Sequence, residues 1–301
     1  MLSQGALGRR GALLYNPAAG RRRAERLRDA LLAVLAAGGW EIEAVATGAP
    51  GDATTIAGEL ARGGRVEAVF ALGGDGTLRE VATGLLGSEV ALAPLPAGTT
   101  NVLARALGIP LRPLAAAQAL AVARRRPLAV GLCGATPFLM MVSAGLDAAI
   151  MGALSGRAKA RWGQGAVVAQ GLASWWGYRF PPLVARWPGG EASGSFVAVC
   201  NIPLYAGPFA MAPTARADDD RLEVVLLRGG GRLTTLGFSA DLVRGRHLRR
   251  GDVVSACVEE VELSGPPALP LQVDGDPCRE SLPVRVRVAS QRLQVLAPAS
   301  D

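Results

Sequence analysis

The residues best suited to chemistry stand together at 73–77, where Gly73, Gly74, Asp75, Gly76 and Thr77 follow the apolar run 66–72 with no polar linker. A buried strand that ends in glycines and feeds a helix leaves main-chain N–H groups at the helix N-terminus, where the dipole favours an anion. Glycine also lets the backbone come close to a bulky phosphate. The plain reading is a phosphate-binding turn. Asp75 sharpens it, because a carboxylate beside an anion repels it unless a cation such as Mg²⁺ lies between them. The alternative is a glycine turn whose aspartate only caps. Thr77 and Glu80 have the spacing of a T-x-x-E capping box, which predicts a helix over 78–86 with Asp75 just outside it and explains Glu80 without chemistry.

Other phosphate-handling patterns are missing from the sequence. No G-x-x-x-x-G-K-[S/T] run occurs, and a G-x-G-x-x-G reading fails because Arg79 stands where the last glycine would fall. The one lysine, Lys159, follows no glycine-rich loop, so arginine or backbone must do the work of a phosphate-binding lysine. Cys133, Cys200, Cys257 and Cys278 are scattered without a C-x-x-C, and His247 is the one histidine. Zinc clusters and Cys–His or Ser–His catalysis are poorly supported, and reduced thiols in a cytoplasmic protein are the simplest account.

Two arrays of elements must hold these residues. With 301 residues, 50% hydrophobic and 19% charged, the chain has material for two folded domains. Up to residue 107 strands and helices alternate: a strand at 11–15, the turn NPAAG at 16–20, a helix carrying Leu27, Leu31, Val34 and Leu35, and a strand at 41–46 that ends at Thr47. A helix over 51–64, the central strand and its helix, a strand at 90–95, Pro96 with AGTTN at 97–101, and a helix from Val102 follow. Such alternation predicts a parallel sheet covered on both faces. Ligands of such sheets sit beyond the carboxyl ends of the strands. Asn16, Thr47, the turn at 73–77 and the stretch 98–101, with Thr99, all lie at such ends and are expected to share one crevice. Arg21, Arg22 and Arg23 crowd the first turn of the first helix, against the macrodipole; a bound phosphate or a solvated basic face accounts for them equally.

Beyond a helix at 114–123 and the basic stretch 124–126, strand-like runs dominate, at 128–133, 138–142, 183–187, 196–202, 222–227, 253–258, 261–263, 269–273, 284–288 and 293–296. The fold class read from this is α/β: an N-terminal three-layer, parallel-sheet nucleotide-binding domain over 1–126 and a mainly antiparallel β domain over 127–301. The last strand, within 289–301, fits either.

The balance of 32 basic against 25 acidic residues gives a net charge of +7 and a pI near 10, which suits a nucleotide, an anionic membrane surface or nucleic acid. Aromatics make up 5% of the chain and interleave with no basic run, so nucleic acid ranks last. One helix, over 159–178, interrupts the β domain; it opens with Arg157, Lys159 and Arg161 nearby and ends on Trp175, Trp176 and Tyr178. It suits a membrane interface or a lipid pocket as well as it suits an ordinary core. Its uncharged run, 162–178, holds two glutamines and four glycines and falls short of the roughly 20 apolar residues of a spanning helix. The first 17 residues lack the pattern of a secretory leader.

YNPAAG at 15–20, GGDGTLREV at 73–81, PAGTTN-x-LAR at 96–105 and VDGDP at 273–277, in that order, resemble the diacylglycerol kinase catalytic family, which includes sphingosine and ceramide kinases and bacterial soluble lipid kinases. GGDGT alone is shared with NAD kinases; the combination is the specific signal. The resemblance implies an ATP-dependent kinase acting on a lipid hydroxyl between two domains at the inner membrane surface. ATP would contact Asn16, Thr47, Gly73, Gly74, Asp75, Gly76, Thr77 and Thr99. The family's base is the glutamate of D-G-E, matched here by Asp276, one methylene shorter. The A-x-x-D-D-G-x-L stretch of bacterial members, which holds a structural Mg²⁺, reads ARADDDRL at 215–222, so Asp219 would give a carboxylate and Arg216 and Arg221 their carbonyls, with Asp220 in place of glycine. Asp75 is expected to make no packing contact, so that its alanine variant loses transfer and keeps its fold. An NAD kinase-like enzyme and a lipid- or nucleotide-sensing protein without activity are the rival readings.

Overall fold

The computed structural model describes residues 9–17, 21–153 and 175–299, and the chain divides into two units, Met1–Leu128 with Gln291–Asp301, and Ala129–Ser290. The α/β plus antiparallel-β architecture is the one the alternation of elements predicts.

The first unit is a sheet with helices. Its strands are β1 (Arg9–Tyr15), β2 (Trp40–Ala46), β3 (Ala68–Gly73), β4 (Ala91–Pro96) and β5 (Arg124–Leu128), and its helices are α1 (Arg21–Ala37), α2 (Asp52–Gly63), α3 (Asp75–Leu85), α4 (Val102–Ala106) and α5 (Pro113–Ala121). The sheet order is β2-β1-β3-β4, then the chain's last strand Leu293–Ala297, then β5. The last strand runs parallel to β4 and antiparallel to β5. The basic stretch 124–126 is thus an edge strand, and arginines on an edge discourage further strand pairing.

Central strands with both faces covered have no reason to alternate, and β3 and β4 are buried along nearly their whole length. Phe70 is fully buried and meets Trp40 edge-to-face with ring centroids 5.0 Å apart, a pair that adds about 1 kcal/mol beyond its buried area. Register sets where the strands end. Tyr15 pairs with Ala46 on one side and Leu72 on the other, and Gly73 pairs with Pro96. Every segment that follows these residues leaves the sheet at one edge.

The second unit has strands β6 (Gly131–Cys133), β7 (Thr136–Phe138), β8 (Met141–Ala144), β9 (Leu183–Trp187), β10 (Gly190–Gly194), β11 (Phe196–Cys200), β12 (Leu204–Tyr205), β13 (Phe209–Ala210), β14 (Leu222–Leu227), β15 (Val253–Val258), β16 (Glu260–Ser264), β17 (Leu271–Val273), β18 (Asp276–Pro277) and β19 (Val284–Val288), with helices α6 (Leu146–Ala153) and α7 (Arg232–Val243). Twelve of the strands form two antiparallel sheets, β10-β9-β16-β19-β6-β7 and β15-β14-β11-β8-β17-β18, and β12 and β13 pair with each other. Between the two sheets lies a core that includes Phe138, Val142, Val199, Val224, Leu263 and Val286. Of the helix expected over 159–178, residues 159–174 lie outside the described residues; 175–177 are helical.

Candidate active site

The glycine turn forms a strand-to-helix junction, but the helix begins earlier than its capping box suggests. Gly74 is the N-cap and Asp75 the first helical residue, with no side-chain cap. The T-x-x-E reading is corrected on both counts: Thr77 lies inside the helix, and Glu80 instead accepts the N–H of Gly51, at 3.1 Å, ahead of α2. The first bond of the α3 ladder runs from Leu78 N–H to Gly74 C=O at 3.1 Å, so the N–H groups of Asp75, Gly76 and Thr77 precede it and have no partner within the helix.

Against the turn lies the loop after β4. A Cβ on Gly98 would stand 2.7 Å from the Gly74 Cα, so the two main chains touch and Gly98 has no room for a side chain, while a Cβ on Gly74 would be tight at 3.3 Å from the Gly98 Cα. Asn101 closes the loop: its Oδ1 accepts Gly98 N–H and its Nδ2 donates to Gly98 C=O, both at 2.9 Å, from a left-handed backbone conformation (φ 48°) that asparagine tolerates. Asp75 then joins the two loops. Its carboxylate accepts the Thr100 hydroxyl at 3.1 Å and the N–H groups of Val102 at 3.0 Å and Leu103 at 3.1 Å, capping α4 from outside. This overturns the expectation that Asp75 touches nothing, and it removes the argument that only a cation could neutralise the carboxylate there. Donors 25–28 residues along the chain do so.

The other residues assigned to ATP gather at the same edge. Thr47 is buried, its N–H donating to Tyr15 C=O at 2.9 Å and its hydroxyl lying 3.4 Å from the same oxygen. Asn16 and Thr99 are exposed. Residues 18–20, and the side chains of Arg21, Arg22 and Arg23, lie outside the described residues.

In the second unit Asp276 begins β18, on a two-residue hairpin from β17. Val273 pairs with Asp276, and Asp274 and Gly275 both have positive φ, at 51° and 86°, the type I′ turn that Asp-Gly favours. The buried Asp274 anchors it, accepting the N–H groups of Leu139, Met140 and Met141 at 2.8, 2.9 and 3.0 Å. Gln272 locks the other side: its Oε1 accepts Gly275 N–H at 2.7 Å and its Nε2 donates to the Ser143 hydroxyl at 2.7 Å. Ser143 donates in turn to Asp147 at 2.5 Å. Burial pushes the Asp147 carboxyl up to about 6, against the pull of that hydrogen bond and of Ala148 N–H. Beside it an apolar cavity of about 140 Å³ is lined by Leu146, Ile150, Phe180, Phe196, Met211 and Phe238, among others. Burial, with the charge of Asp147 behind it, raises the phenols of Tyr205 and Tyr178, the latter to about 12.

The stretch matched to a metal site is an exposed turn before β14. Asp219 Oδ1 accepts Arg221 N–H at 3.0 Å, Arg216 C=O lies 3.4 Å from Asp219 N–H, and the Arg216 guanidinium forks onto Asp218 with both contacts at 3.1 Å. Among the described residues no three His, Cys, Asp or Glu side chains converge. A cation here would rest on one carboxylate and main-chain carbonyls, an all-oxygen set that suits Mg²⁺, and Asp218 offsets the charge of the neighbouring guanidinium.

Two residues that matter to these sites escape sequence reasoning. Asp274 could have been found, since an Asp-Gly pair between short strand-like runs predicts a hairpin. Nothing in LDAAI at 146–150 singles out Asp147.

The chain matches two family models: the diacylglycerol kinase catalytic domain over residues 10–133 and the YegS C-terminal NAD kinase beta sandwich-like domain over residues 140–297. A probable lipid kinase, YegS-like, from Pseudomonas aeruginosa (strain UCBPP-PA14) is 34% identical over 286 residues, 92% of this chain and 91% of its own. A diacylglycerol kinase from Bacillus subtilis (strain 168) is 26% identical over 273 residues, 89% of this chain and 90% of its own. A solved diacylglycerol kinase from Bacillus anthracis str. Sterne shares the fold, with a TM-score of 0.73 at 18% identity over 97% of this chain and 98% of that one.

Proposed function

The chain belongs to the diacylglycerol kinase catalytic family, and from that membership we propose that it is an ATP-dependent lipid kinase, moving the γ-phosphate of ATP to a hydroxyl of a lipid such as a diacylglycerol or a sphingoid base. One observation carries the nucleotide half of this reading: three successive main-chain N–H groups, of Asp75, Gly76 and Thr77, open at the N-terminus of α3 outside its ladder, on a turn whose backbone meets that of the Gly98 loop.

Phosphoryl transfer passes through a loose transition state, so the protein's task is alignment and charge neutralisation. The N–H groups of the glycine turn hold phosphate oxygens, with Asn16, Thr47 and Thr99 around the nucleotide. Asp75 fixes the two loops against each other, which makes it a positioning residue as much as a catalytic one. Asp276 accepts the proton of the attacking alcohol, and the hairpin anchored by Asp274 and Gln272 holds it in place. Mg²⁺, when bound, neutralises charge on the phosphates, and a second ion would brace the loop at 216–221 through Asp219 and the carbonyls of Arg216 and Arg221.

The apolar cavity beside Asp147 supports a lipid acceptor. Among the described residues no helix is long and apolar enough to cross a membrane, and the proposed encounter with lipid is at the cytoplasmic membrane surface. The NAD kinase-like description of the second domain's model favours one second reading, phosphorylation of NAD. Labelled ATP offered with diacylglycerol, sphingoid bases, phosphatidylglycerol and NAD separates them. Label on a lipid is the expected result; label on NAD transfers the assignment to the second reading, and no label on any acceptor overturns both.

A further inference from the structure

Helix α7 carries apolar side chains on the side that faces away from the core. Leu233, Leu236 and Val243 are 84%, 56% and 63% exposed, while Phe238 and Leu242 on the opposite side are buried. At 100° per residue Arg232, Leu233, Leu236, Ala240, Val243 and Arg244 share one face. The helix's single acid, Asp241, is turned off that face to Arg250, at 3.0 Å, and Arg246, at 3.8 Å. The outer face is therefore an apolar stripe with a guanidinium at each end and no negative charge. Trp176, 67% exposed, extends it: the Arg232 guanidinium lies 4.8 Å from its ring centroid and donates to its carbonyl oxygen.

From this surface we infer that α7 docks flat on an anionic bilayer, with Leu233, Leu236, Val243 and Trp176 in the headgroup–acyl boundary and Arg232 and Arg244 on lipid phosphates. A lipid surface is favoured over a protein partner by two features. Arginine stems and a tryptophan ring are apolar along their length and polar at the tip, as a headgroup boundary requires. The inner side of the same helix, through Thr235, Phe238, Ser239 and Leu242, lines the apolar cavity, so a docked helix separates bilayer from cavity by one helix diameter, about 10 Å. The inference rests on the lipid-kinase reading for its purpose but is read out separately from it.

The full chain is sedimented with vesicles of phosphatidylcholine alone and of phosphatidylcholine with about a third phosphatidylglycerol. Binding is expected to the anionic vesicles, weakening as salt rises. The double variant Leu233→Asp/Leu236→Asp should bind at least tenfold more weakly, and Arg232→Glu/Arg244→Glu should lose the preference for phosphatidylglycerol. Both should keep the wild-type melting temperature and wild-type transfer to a detergent-dispersed acceptor. Anionic-vesicle binding that is absent in the wild type, or unchanged in both variants, overturns the docking assignment. A wild type that binds through this face yet labels no acceptor in detergent leaves docking standing and removes the kinase.

Discussion

The first unit holds the carboxylate of its glycine turn in one way, and the second unit holds its carboxylates in two. In the first, Asp75 has three donors, two of them main-chain N–H groups at the start of a helix. In the second, Asp274 is held in the same way, by three N–H groups, but Asp147 depends on one hydroxyl, the adjacent Ala148 N–H and a distant amide at 3.5 Å. Its carboxyl is pushed up to about 6 by burial. A carboxylate satisfied by distant backbone donors builds the fold; one set against apolar walls, with only a hydroxyl and its neighbour's N–H at close range, is an expense the fold carries for another purpose.

If that contrast is right, Asp276, which begins a hairpin held by others, should matter to rate and little to stability. Replacing it with alanine is expected to lower kcat by about 10²- to 10⁴-fold, the span of general-base catalysis, with the urea midpoint unmoved. Asp276→Glu should stay within about tenfold of the parent. An alanine variant that unfolds early would move Asp276 into the class of Asp75.

Asp75→Ala should do the reverse of what its motif suggests and cost stability, because Val102 and Leu103 keep buried N–H groups with no acceptor. A loss of about 2–3 kcal/mol is expected by urea denaturation, with Asp75→Asn recovering part of it. No loss would mean that the α4 cap is dispensable and that Asp75 acts on ligand alone.

That outcome also measures how far the sequence is legible. The alternation of elements, the buried run before Gly73 and the valine- and leucine-rich strands are local signals, and the two-unit α/β plus β architecture follows from them. Asp75's partners are invisible to local reading, since its donors are 25–28 residues away, and the Thr77–Glu80 spacing misleads because Gly74 takes the cap and Glu80 serves α2. Asp147 is less legible still. Its raised proton affinity comes from the walls packed around it, not from its neighbours in the chain.

Main-chain contact between the two loops sets a smaller effect. Gly98→Ala puts a methyl against the Gly74 Cα and should cost about 1–3 kcal/mol, with ATP affinity falling in step as the turn is displaced. Wild-type ATP affinity in this variant would show that the loops can part without loss.

The finest test is at Asp147. Its folded pKa of about 6 stands above the ordinary 3.8, so between those values the folded state holds a proton that the unfolded chain has released. The stabilisation from that proton is complete below about 3.8 and is lost as pH rises through about 6. At neutral pH the charged carboxylate therefore weighs against folding, by at most about 3 kcal/mol. Asp147→Asn removes the charge and weakens the Ser143 contact, so the variant should gain about 1–2 kcal/mol over the parent at pH 7.5, shrinking toward zero near pH 4. The same change at Asp274 leaves an amide facing three N–H donors and should destabilise instead. Equal pH-independent losses at both positions would erase the distinction between the two kinds of acid.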